Sequence, residues 1–139
     1  MPDDFAALQQ RFAANVLHQQ LGLTLEEARN GYARIALATN PVTLSGVGGS
    51  VHGGVLAAMV DIAMLQALIA SLEPDDIPNG TADLNITYLR PALGQRIVAE
   101  ATILRKGRSL AVSEVSISDS EGRLCAKGRT IYALRQRAS

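Results

Sequence analysis

Residues 51–61 read Val51-His52-Gly53-Gly54-Val55-Leu56-Ala57-Ala58-Met59-Val60-Asp61, or VHGGVLAAMVD. They open the most apolar run of the chain, residues 53–72, and an aspartate stands inside it. The run is about long enough to span a bilayer. Asp61 at its middle would cost roughly 2.5–3.5 kcal/mol on insertion scales, Gln66 adds to that cost, and no basic flank sets an orientation. A buried helix of a globular protein is therefore expected, and its Leu, Ala and Met content favours helix over strand. Because the run is apolar nearly all round, other structure should wrap it. Residues 73–80, EPDDIPNG, end it.

Outward from this helix the period changes. On the N-terminal side, residues 3–20 carry Phe5, Leu8, Phe12 and Val16 at three- and four-residue steps, the pattern of an amphipathic helix. Asp3 or Asp4 caps its start and Gly22 follows its end. Residues 31–39 alternate as a strand, and the glycine- and serine-rich residues 40–50 read as a loop. On the C-terminal side, residues 81–89, 95–104, 109–118 and 123–134 are strand-like, separated by the turn sequences RPALG, RKGR and SDSEG. The order helix, strand, long helix and four strands predicts an α+β domain in which a curved antiparallel sheet wraps the long helix. One domain is expected over residues 1–139, with the N-terminal helix at about 3–20 and the core at about 22–136. The sheet edges need cover, and edge-to-edge dimerisation is one way to supply it.

Composition narrows the function. A hydrophobic share of 47% with 19% charged residues is that of a folded protein. Formal net charge is zero, and there are three tyrosines, two phenylalanines and no tryptophan. Neither fact suits a nucleic-acid partner. Cys125 stands alone, which excludes a disulfide framework and points to a reducing compartment. The start MPDDFAALQQRF is acidic and then amphipathic, unlike a signal peptide, so a cytoplasmic location without membrane association is expected. His18, expected on a helix surface, His52 and Cys125 show no metal-ligand spacing, so no metal is expected.

The chemistry lies in the opening stretch. Gly53 and Gly54 leave room for a ligand beside the first N–H groups of the helix, which lack intrahelical partners and sit at the positive end of its dipole. Such a donor stabilises a carbonyl oxygen gaining charge in acyl transfer; glycines there equally permit tight packing. Asp61 is either a nucleophile or general base, or a structural carboxylate bonded to its neighbours. The combination of HGG with an aspartate at this spacing favours a site. Eight residues of helix, however, separate Gly53 from Asp61 by about 12 Å, whereas reacting groups approach to about 3–3.5 Å. Either the two do different jobs, or each site takes its aspartate from a second chain related by two-fold symmetry. The second arrangement is the one expected.

VHGGVLAAMVD, followed by TADLNITYLRPALG and LRKGRSLAVSEVSI, resembles the hotdog-fold acyl-CoA thioesterases of the phenylacetate-degradation (PaaI-like) branch of the 4-hydroxybenzoyl-CoA thioesterase superfamily, over roughly residues 20–135. The resemblance implies a hotdog fold, dimers often paired as dimers of dimers, active sites at the dimer interface, and hydrolysis of an acyl-CoA to free acid and CoA without a metal or redox cofactor. It places Asp61 as the catalytic carboxylate and Gly53, with Gly54 beside it, as the amide that polarises the thioester carbonyl. His52 shapes the site, and Thr81 positions water or substrate. The asparagine or glutamine that such sequences carry about six residues before the histidine is replaced here by Gly46, preceded by Ser45. Arg90 and the turn Lys106-Gly107-Arg108-Ser109 match positions near CoA phosphates, with cations suited to that contact. Alanines 57, 58 and 63 leave room for a small aryl or medium alkyl group. An acyl-thioester hydratase or dehydratase, and a non-catalytic acyl-CoA-binding module, are the alternatives.

Overall fold

In the computed structural model, residues 4–138 are described. Asp4 caps helix α1 (Phe5–Ala14), its Oδ1 accepting from the Ala7 N–H at 2.8 Å; Asp3 lies outside the described residues. The single helix expected over 3–20 is two. Asn15 is extended (φ −73°, ψ 123°), and its side chain accepts from the His18 N–H, capping α2 (Val16–Leu21). The local Asn bond competes with helix continuation and wins. Leu8 and Phe12 are buried as the periodicity required, but the break turns Val16 outward, while His18, expected on the surface, is buried. Gly22 ends α2 at φ 90°, the left-handed conformation that glycine adopts freely.

Two strands follow, where one was expected. Strand β1 (Leu23–Arg29) turns Leu23 and Leu25 inward, and then a register shift between Leu25 and Glu27 breaks its alternation. Strand β2 (Tyr32–Ala38) pairs with it. A loop containing a short 3-10 turn (Val47–Gly49) leads into helix α3 (Gly53–Ile69). Strand β3 (Asp76–Tyr88) begins five residues before the expected position, taking Pro78 into its length. Strands β4 (Arg96–Lys106), β5 (Leu110–Ser118) and β6 (Leu124–Gln136) lie close to their expected positions.

The six strands form one antiparallel sheet in the order β1-β2-β4-β5-β6-β3. α3 packs across it, touching all six strands. The helix side of the central strands carries Ala33, Ala99, Ala101, Ala111 and Ala126, which let the helix settle close, and Met59, Val60, Met64 and Leu68 fill the space between. Gly128 on β6 is the tightest point. A Cβ there would lie 2.7 and 2.8 Å from the Val60 methyl carbons. The far side of the sheet is charged: Glu26, at the β1 irregularity, bonds both Arg34 and Arg96 across β2. No described helix is long and apolar enough to cross a membrane.

The two edges differ. α1 packs on β1, and the Gln9 side-chain amide donates to the Leu25 carbonyl. Among the described residues, β3 has no such cover. Over residues 83–88 its pairing with β6 is regular, and the Leu89 N–H donates to the Cys125 carbonyl. Alternation along the strand therefore points the main-chain groups of Leu84, Ile86 and Tyr88 toward the open edge.

Candidate active site

The start of α3 is built by His52. Its ring Nδ1 accepts from the Gly54 N–H at 2.8 Å, while its own N–H donates to the Thr43 carbonyl. Because Nδ1 accepts, the neutral ring carries its hydrogen on Nε2. The Gly54 donor is thus used inside the chain. The Val55 and Leu56 N–H groups turn back to the His52 carbonyl. That leaves the Gly53 N–H, for which no acceptor is found among the described residues. Tyr88, from the end of β3, donates its hydroxyl to the Gly53 carbonyl at 2.7 Å. The packing at the two glycines is tight: a Cβ on Gly53 would sit 3.2 Å from the Tyr88 ring, and one on Gly54 would sit 3.1 Å from His52, so either side chain would have to give way.

Gly53 opens into a recess of about 570 Å³ between the 45–53 loop and the Tyr88–Ala92 segment. Ser45, Gly46, His52 and Arg90 line it, and Val47, 93% exposed, stands on its rim. Ser45 spends its hydroxyl on the Val42 carbonyl. A Cβ on Gly46 would meet the Ser50 and Val51 carbonyl oxygens at 2.8 and 2.9 Å, so the loop has no space for an asparagine or glutamine side chain there.

Asp61 does not reach this recess. It is half-buried on α3, and Thr81 donates to its Oδ1 at 2.7 Å. Thr81 and Leu84 both belong to the helix face, although their numbers differ in parity, because the register against β6 shifts between Thr81 and Asp83. The extra residue, Ala82, re-aims Thr81 toward the helix. Asp61 lines a second recess, of about 270 Å³, between α3 and the N-terminal helices. The helix length that argued against a one-chain site is thus seen as two separate hollows.

The basic residues also divide. Arg90 is in the Gly53 recess, while Lys106, Gly107 and Arg108 line a third hollow of about 470 Å³ at the far end of β3. Lys106 is paired with Asp76, whose carboxylate also accepts from Gln136 and from the Glu73 N–H. Burial opposes ionisation of Asp76, but these bonds hold its carboxyl below the usual range. The Gly107 N–H closes its own turn on the Leu110 carbonyl, and the Ser109 carbonyl accepts from Leu134. The Arg108 side chain is exposed. Among the described residues no cluster of three or more His, Cys, Asp or Glu side chains is placed to hold a metal.

A family model described as the thioesterase superfamily matches residues 48–126, from the loop before α3 to the start of β6. The chain belongs to that superfamily. It is a thioester hydrolase with the hotdog fold. Its relatives include a Halobacterium salinarum protein with an esterase designation, 36% identical and covering 91% of this chain and 90% of the relative. The medium/long-chain acyl-CoA thioesterase YigI of Escherichia coli is 29% identical, with 83% of each chain covered. A thioesterase of Haemophilus influenzae shares the fold, with a TM-score of 0.87 at 22% identity over 100% of this chain and 95% of its own. Zebrafish thioesterase superfamily member 2 gives 0.82 at 26% identity, over 94% and 98%.

Three features of this thioesterase escape its sequence. Tyr88 reads as one more strand residue, although an aromatic just before Arg90-Pro91 at a strand end was a usable signal. Gln66 and His18 line one recess with Asp61 only once the N-terminal helices and α3 are brought together by folding. The Ala82 irregularity follows no turn signal.

Proposed function

We propose that the enzyme is an acyl-CoA thioesterase acting on small aryl or medium-chain acyl groups, with each active site shared by two copies of the chain. The Gly53 N–H of one protomer receives the thioester carbonyl oxygen, and Asp61 of the other either activates a water that attacks the carbonyl carbon or attacks it directly, forming an acyl-enzyme anhydride that water then hydrolyses. The carbonyl–sulfur bond breaks, CoA leaves as the thiol, and the acid is released. Thr81 holds the carboxylate, and no resident cofactor takes part. The carrying observation is that Gly53, whose N–H has no acceptor among the described residues, lines a recess from which its own Asp61 is absent.

The outermost position of β3 supports the reading, because it leaves that edge free to pair antiparallel with its counterpart in a second copy. The strand is about 40 Å long at 3.3 Å per residue, and it carries Tyr88 and Arg90 at one end and the Asp76–Arg108 hollow at the other. Reversing one copy sets the Gly53 recess and Arg90 of each against Arg108 of its neighbour, two cations converging where CoA phosphates need them. The names of the relatives fit thioester hydrolysis rather than hydration or binding alone.

Complementation tests the shared site. Asp61→Ala and Gly53→Val should each abolish thiol release from acyl-CoA. When they are co-expressed, each mixed dimer regains one intact site, and statistical assembly returns about one quarter of wild-type activity. No recovery in isolated mixed dimers would falsify sharing.

A further inference from the structure

Tyr88 holds the peptide unit next to the Gly53 N–H. Its hydroxyl donates to the Gly53 carbonyl at 2.7 Å, and the N–H of the same peptide unit, from Gly54, donates to His52 Nδ1 at 2.8 Å. The unit between the two glycines is thus gripped at both ends, by a residue of β3 and by the residue before α3. A carbonyl in a helix keeps a second lone pair for such a bond, so α3 forms its ladder without the phenol. Burial does not force the contact either, because Tyr88 is 52% exposed and its hydroxyl could be satisfied by water.

Gly53 is the place where a brace is needed. Lacking a Cβ, it is free to take more φ/ψ values than any other residue, and it stands at a helix end, where the backbone frays. On its N-terminal side the chain is fastened: the Val51 N–H donates to the Ala92 carbonyl and the His52 N–H to the Thr43 carbonyl. On its C-terminal side the fastening is Tyr88 and His52. The Tyr88 ring also fills the space a side chain on Gly53 would occupy, within 3.2 Å of the Cβ position.

We propose that Tyr88 is a positioning residue that aims the Gly53 N–H at the thioester carbonyl oxygen. This rests on reading that N–H as the donor to the carbonyl. Such a donor acts through its alignment with the oxygen as charge develops, and a misplacement of about 1 Å costs on the order of 10²-fold in rate. Tyr88 works through the backbone, since its own hydroxyl is spent on the Gly53 carbonyl. The brace stands on β3, so pairing of two copies along that strand would steady the donor of one site while delivering the carboxylate of the other.

Tyr88→Phe removes one oxygen and keeps the ring. With hexanoyl-CoA, kcat should fall about 10- to 100-fold while KM changes little. A spectroscopic reading accompanies it. In Asp61→Ala, where turnover stops, the infrared carbonyl stretch of bound hexanoyl-CoA should lie below that of the free ester, and adding Tyr88→Phe should move it back toward the free value. A tyrosine that only supports the fold would lower the unfolding midpoint and leave kcat and the stretch in place. That result overturns the assignment, as does an effect confined to KM. Should Tyr88→Phe not fold, Tyr88→Leu is read by the same two measurements. Failure of the underlying reading looks different: with Tyr88 intact, the bound stretch would equal the free one, or Asp61→Ala would release thiol at the wild-type rate.

Discussion

At the scale of single residues, the chain by itself joins Thr81 to Asp61 through a hydrogen bond of 2.7 Å, as it joins Gly54 to His52. In the proposed shared site Thr81 would act as a positioning residue. Bonds to charged groups contribute about 1.5–3 kcal/mol, so Thr81→Val should lower kcat roughly 10- to 100-fold, with KM little changed. Thr81→Ser, which keeps the hydroxyl, should restore most of it. A purely structural threonine would give the reverse order, since valine keeps the shape and serine does not. HGG and the aspartate were legible because a polar break in an apolar run is conspicuous. The division of labour between the glycines was not. Which N–H is spent on His52 depends on a ring rotamer that no spacing encodes.

Secondary-structure elements sort by how locally they are specified. α3 could be read from sequence because 17 residues with hardly a polar interruption have few other folds. β1 and the first residues of β3 could not: one loses its alternation at Glu26, and the other contains Pro78, which a strand accepts at an unpaired edge. The contact of α3 with β6 makes a sharp prediction. Gly128→Ala should destabilise the enzyme by about 1–3 kcal/mol through overpacking, and Val60→Ala in the same chain should recover part of that loss, read as coupling in a double-mutant cycle by denaturant unfolding. The join between β3 and the β4–β5 hairpin should respond to pH. The Asp76 carboxyl is held low when folded, so its contribution is complete above the unfolded-chain value near 3.9 and is lost as pH falls through the lower native value. Acid titration of Asp76→Asn should lack that component, and should show lower stability at neutral pH because Lys106 loses its partner.

For the whole molecule, the strand order matters more than any one contact, since it places the site-bearing strand β3 outermost. Ile86→Pro removes an N–H that faces the open edge rather than β6, so the domain should stay folded by circular dichroism. Analytical ultracentrifugation should show monomers, and thiol release should disappear with the dimer. A dimeric and inactive variant, or a monomeric and active one, contradicts the shared site. The fold class was readable because the order of helices and strands is local information. The recess beside Asp61 was not, because it lies between segments about fifty residues apart that meet only after folding. The inequality of the two borders has a further consequence. With α1 and Gln9 guarding β1, the sheet has a valence of one: joining a second copy through β3 would use up the bonding capacity that filament growth requires. Extension would then terminate at the first step, and a long bare strand that is an aggregation hazard in an isolated chain would be self-limiting in a crowded one.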